Sequence, residues 1–136
     1  MIPAMIHPSL LLRRALLADA IFSGTSAVVL TLGAGALAPL LSLPDALLRE
    51  TGLFLILYAA LVGWLGTRQT LPKVLVWLVV AGNAAWTLAS IALLFFGLIA
   101  PNLLGEIFVA AQAIATGVFA ELQYVGLRRS SLAVAV

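Results

Sequence analysis

The chain has 136 residues, 64% of them hydrophobic and only 9% charged, with a mean hydropathy of +1.22. A soluble domain is roughly 45–50% apolar and about 25% charged, and a chain this short has no core large enough to hide the surplus, so lipid is the expected solvent. The net charge is +2 and there is no cysteine; the basic residues form no patch interleaved with exposed aromatics, which argues against nucleic acid, and disulfides, thiolate metal sites and thiol catalysis are excluded.

Met1 to Ser9 contains Pro3 and Pro8 and reads as an irregular segment along the membrane surface. Ser9 is placed to cap a first helix from about Leu10 to Leu37. A cleavable signal peptide is the competing reading of this stretch, with Ala36-Leu37-Ala38 as the cleavage site. Its apolar region is too long, Asp19 interrupts it and Pro39 follows the site. Pro39 to Pro44 reads as a turn, and Ser42 to Asp45 resembles a capping box for a second helix over about 43–67. Arg68 to Thr70 is a tight connection, with Thr70 as cap and Pro72 in the first turn of a third helix, about 71–100. Val74 to Ala100 carries no charge and exceeds the roughly 20 residues a bilayer core requires. Asn102 caps a fourth helix over about 103–128, and Ser130 to Val136 reads as a frayed tail. Short loops make neighbouring helices antiparallel, so the expected fold is an all-α, transmembrane four-helix up-down bundle forming a single domain.

The basic residues orient that bundle. Arg13, Arg14, Arg68, Lys73, Arg128 and Arg129 fall at one end, and Arg49 falls at the other beside Asp45 and Glu50. Basic ends stay in the cytoplasm, so both termini are expected there. Trp64, Trp77 and Tyr124 near the same end read as an interfacial aromatic belt. Helix contacts in lipid favour small residues four apart. Ala20 and Gly24, Ala59 and Gly63, Ala81, Ala85 and Ala89, and Ala113 and Gly117 place one such pattern on every helix.

The polar residues inside these spans are the candidates for function. Asp19 and Glu121 lie about 8–10 Å inside the basic end by helical rise, and intramembrane carboxylates usually face the bundle interior. At matching depth they would share a proton or bind a cation. The plainer reading is structural, with Asp19 bonded to hydroxyls or a basic residue and Glu121 to Arg128 or water. Asp19, Ser23 and Ser26 share a face of helix one, and Asn83, Trp86, Thr87 and Ser90 form a stripe on helix three. Gln112 and Thr116 share a face of helix four. Glu121 stands about 180° around from Gln112, which weighs against one pocket holding every polar group. Asn83, Ser90, Gln112 and Thr116 would line a small cavity or act as interhelical hydrogen-bond glue. Trp86 would pack in the core or wall a pocket, and the Tyr58 hydroxyl needs a partner. The ligand- or proton-binding candidates are therefore Asp19, Ser23, Asn83, Trp86, Thr87, Gln112 and Glu121.

No serine–histidine pair, HExxH or phosphate-binding glycine loop occurs, so no enzymatic activity and no cofactor are expected. The segments LLRRALLADAIFSG, VVAGNAAW and AELQYVGLRR look similar to a group of small, uncharacterised four-helix integral membrane proteins of bacteria. That resemblance implies a bacterial inner membrane and carries no activity. Small multidrug-resistance transporters match in size and helix count, but Asp19 lacks the motif that surrounds their first-helix glutamate. The expected function is association: an accessory subunit, or an oligomer that binds lipid or a hydrophobic partner. The alternative is a small ion-coupled carrier. Expected partners are membrane lipids and further membrane-protein copies or subunits, without nucleic acid.

Overall fold

The computed structural model describes residues 4–133. Its helices are α1 (Leu10–Leu41), α2 (Asp45–Thr67), α3 (Lys73–Phe95) and α4 (Leu103–Arg128). Each is long and apolar enough to cross a membrane, and among the described residues these are the four that are. A helix satisfies its own backbone polar groups, which is what hydrocarbon demands.

The helix ends depart from the sequence reading in instructive ways. Ser9 does cap α1, its side chain accepting from the Leu12 N–H at 3.1 Å. However, α1 runs past Leu37 and past Pro39 to Leu41. Proline this close to the C-terminus removes one hydrogen bond and leaves the other turns intact. The helix stops at Ser42, which is left-handed at φ 53°, with its own N–H and that of Leu43 both closing on the Ala38 carbonyl. Ser42 is thus spent ending α1 and forms no capping box. Pro44 precedes α2 without a side-chain cap, and Asp45 instead pairs with Arg49 at 2.9 Å. Thr70 does not cap α3, whose N-cap is Pro72. The third helix also ends early, at Phe95. Gly97 sits at φ 65° and the Leu98 N–H reaches the Leu93 carbonyl at 3.1 Å, a glycine-terminated end. Asn102 caps α4 as expected, accepting from the Gly105 N–H at 2.8 Å.

Of the two segments read as irregular, residues 1–3 and 134–136 lie outside the described residues, and the described parts pair with each other. β1 (Met5–His7) is the centre of a three-stranded antiparallel sheet, order β2-β1-β3, with β2 (Leu71–Pro72) and β3 (Ser131–Leu132). Its strands are too short to announce themselves by periodicity. They form because backbone groups at a helix end need partners. The sheet gathers the start of α1, the loop before α3 and the end of α4. Ser9 Oγ donates to the Gly126 carbonyl at 2.7 Å, and Arg13 donates to the Gly66 and Arg68 carbonyls at 2.8 and 2.9 Å, closing the C-terminus of α2. At the far end, Asn102 donates to the Leu40 carbonyl at 2.8 Å.

Small residues set the helix contacts. A Cβ on Gly24 would touch the Ala59 Cβ at 3.8 Å, and one on Gly63 would touch the Ala20 Cβ at 3.6 Å, so the two sequence patterns on α1 and α2 face each other. On α4, Gly126 lies against the Leu12 backbone and Gly117 against Thr87. Ala81 and Ala85 of α3 are exposed and take no part. The packed helix pairs are α1–α2, α3–α4 and α1–α4, with α2 and α3 not directly packed along their length. Near the sheet, Leu12, Leu16, Val62, Leu65, Val76 and Val79 form one core. A second apolar cluster, containing Leu30, Ala34, Leu41, Leu48 and Val109, lies toward the other end.

Candidate functional site

Asp19 is completely buried and takes one hydrogen bond from every helix. Ser23, one turn along α1, donates to Oδ1 at 2.9 Å. Oδ2 accepts from the Tyr58 hydroxyl of α2 at 2.6 Å, from Asn83 Nδ2 of α3 at 3.0 Å and from Gln123 Nε2 of α4 at 2.8 Å. Asn83 Nδ2 also donates to Gln123 Oε1 at 2.9 Å, which closes the ring. All four donors are neutral. Among the described residues the one ion pair is Arg49 with Asp45, far from this cluster. A buried carboxylate is tolerable when its lone pairs are filled, and here they are filled by protein.

Beyond it, a second network joins α3 to α4. Trp86 Nε1 donates to Gln112 Oε1 at 2.7 Å, and Gln112 Nε2 donates to Ser90 Oγ at 3.0 Å and to the Val109 carbonyl at 2.8 Å. Thr87 Oγ1 bonds Thr116 Oγ1 at 2.8 Å and donates to the Ala113 carbonyl at 3.0 Å. Every member of the α3 stripe therefore meets protein on its polar side.

The structure brings Asp19, Ser23 and Asn83 together, and separately Trp86, Thr87 and Gln112. Glu121 joins neither group. It is exposed on the outside of α4, so it cannot share a proton or cation with Asp19 within one chain. It makes no ion pair with Arg128, which lies over the Tyr124 ring. The charge of Glu121 draws attention away from Gln123, the residue that does reach Asp19. Gln123 follows Gln112 and Thr116 on one helical face, at i+11 and i+7, and extending that stripe would have found it. Tyr58 finds its partner in Asp19.

A cavity of about 870 Å³ opens beside these networks. All four helices line it. Its walls are apolar, and Ser23, Ser26, Asn83, Ser90, Gln112 and Thr116 form a neutral polar floor. No charged side chain lines it. The opening follows from the packing: α2 and α3 share the core near the sheet, and farther along their backbones are not closely packed. Exposed Phe54 and Leu61 of α2 stand on one side of the mouth, and Leu78 of α3 with Leu104 and Ile107 of α4 on the other. Phe54 spans the gap, its ring stacked on Trp86 at 6.2 Å with an interplanar angle of 6°. Trp86 is thus a pocket wall. The arrangement offers a concave, mostly apolar site with a few convergent polar groups, the usual make-up of a small-molecule site. Comparison with known protein families, with characterised proteins and with solved structures returns no match for the chain.

Proposed function

We propose that this chain is a multi-pass protein of a bacterial inner membrane that works by association, holding a hydrophobic molecule drawn from the bilayer without converting it. In this reading it is an up-down bundle with both termini in the cytoplasm, and it acts as a homo-oligomer or as a subunit of a larger membrane complex. The cavity carries the proposal: it is large enough for a drug-sized molecule, and its mouth lies on the apolar, outward side of the helices. The contacts of the α1 N-terminus with the ends of α2 and α4 support the up-down arrangement. The basic residues at that end support its cytoplasmic placement.

Native mass spectrometry after gentle extraction tests this reading. The expected result is a monomer or homo-oligomer that retains a small molecule of lipid mass. A second polypeptide at fixed stoichiometry with no retained small molecule would replace the binding reading with that of an accessory subunit.

An ion-coupled carrier is the second reading, favoured by one observation: Asp19 is an intramembrane carboxylate with no cationic partner. Its donor shell weighs on the other side, because a cation would have to displace four hydrogen bonds that all point at the carboxylate. Flux in liposomes that Asp19→Asn abolishes, with the bundle still assembled, would establish the carrier.

A further inference from the structure

We infer that the cavity takes an uncharged long-chain lipid whose single oxygen, a hydroxyl or carbonyl, is held at mid-membrane by the hydroxyls of Ser26 and Ser90. The inference rests on the binding reading above and names the class of molecule bound.

Three observations carry it. The first is unused hydrogen-bonding capacity. Ser26 lines the cavity and, among the described residues, its side chain has no hydrogen-bond partner. Ser90 is 5% exposed, also lines the cavity, and accepts from Gln112, but its own proton has no acceptor among the described residues. The buried Ser90 proton is costly to leave without an acceptor, the half-buried Ser26 hydroxyl is free to bond into the cavity, and a single ligand oxygen would accept from both.

The second is position. Asp19 of α1 is bonded to Asn83 of α3. Ser26 and Ser90 each stand seven residues farther along the same two helices, two turns or about 10 Å beyond that bond. Ser26 is near the middle of α1, which spans Leu10–Leu41. The headgroup of a phospholipid is fixed at the interface and cannot bring its phosphate to that depth. A lipid with one small neutral head can be drawn in, because in hydrocarbon its oxygen has nothing to bond and in the cavity it meets two donors.

The third is charge. Basic, acidic and histidine side chains are all absent from the lining. An ionised fatty acid or an ammonium head would enter without a counter-charge, which is strongly unfavourable away from water. The walls suit the chain, and the floor suits a neutral head.

Trp86 makes a direct test possible. It lines the cavity, and Trp64 and Trp77, the other two of three tryptophans, are exposed near the sheet end. In a Trp64→Phe, Trp77→Phe background, fluorescence reports from the cavity wall alone. The protein is placed in lipid nanodiscs containing dibrominated oleyl alcohol, dibrominated oleic acid at alkaline pH, or a dibrominated phosphatidylcholine, since bromine quenches tryptophan on contact. Saturable quenching by the alcohol is expected, at a mole fraction about tenfold lower than for the other two, the factor that one good hydrogen bond supplies. Ser26→Ala removes no bond within the protein, so it should leave the fold intact and erase most of that preference. Ser26→Leu should fill the floor and abolish saturable quenching. If the three probes quench saturably and alike, the neutral-head assignment is wrong while the binding reading survives. If none quenches saturably, both fall.

Discussion

At the scale of single residues, Asp19 behaves as a clasp. Its Oδ2 takes three hydrogen bonds and its Oδ1 one, from four different helices. Asp19→Leu would strand all four donors, and each stranded buried donor costs roughly 1–3 kcal/mol, less whatever relaxation recovers. The expected loss is about 3–5 kcal/mol, read as a large drop in the detergent melting temperature. Asp19→Asn keeps an oxygen for the three donors at Oδ2, while the Ser23 hydroxyl can turn to accept from the new amide. It should cost only about 1–2 kcal/mol, the step from charge-assisted to neutral bonds. Glu121→Leu, on the exposed face, should move the melt by less than about 0.5 kcal/mol. A wild-type melt for Asp19→Leu would show that the clasp holds nothing. Thr31 offers the opposite sign. Its hydroxyl is buried without a partner, so Thr31→Val, which keeps the shape, should raise stability by about 1 kcal/mol in the same assay. The stripe on helix three and the inward Asp19 were legible in the sequence because a polar group in hydrocarbon has few reasons to exist other than a partner. The partner itself was less legible, since Gln123 is neutral and the eye follows the charge two residues before it.

At the scale of elements, glycines decide where helices meet. A Cβ on Gly126 would lie 2.7 Å from both the Leu12 Cα and N, atoms of backbone that cannot step aside. Gly105 meets the Leu41 carbonyl still more closely. Gly126→Ala should therefore push α4 off α1 and cost about 1–3 kcal/mol, the usual range for overpacking. A Cβ on Gly35 would meet nothing within 4 Å, so Gly35→Ala should be neutral or slightly stabilising. Equal melts for the two variants would sink the close-approach argument. The sequence does not separate these two glycines, because spacing says which residues share a face and not which face finds a neighbour. The caps show the same limit. Asn102 was readable because its side-chain oxygen caps α4 alone, while its amide group is left to reach the Leu40 carbonyl. Ser42 was misread because two helices competed for it and the end of α1 won.

At the scale of the whole molecule, four apolar runs in 136 residues announce membrane helices, and the described residues form four of sufficient length. The sheet was invisible, since strands of two or three residues leave no pattern. The cavity was invisible too, since it lies where α2 and α3 are not closely packed, which the pattern along a single helix does not reveal. What composition does constrain is orientation. Of seven lysines and arginines, all but Arg49 stand at the sheet end, six against one. Positive residues near helix ends resist translocation, so the sheet end should face the cytoplasm in every copy. The chain has no cysteine, so one introduced thiol reports without background. Glu50→Cys and Ser130→Cys sit at exposed and part-buried positions of opposite ends. In intact spheroplasts an impermeant maleimide should label Glu50→Cys at once and Ser130→Cys only after lysis. Labelling of both in intact cells would mean two orientations coexist, and the single-sided reading of the basic residues would then be wrong. Labelling of Ser130→Cys alone would invert the molecule, and the sheet would lie outside the cell.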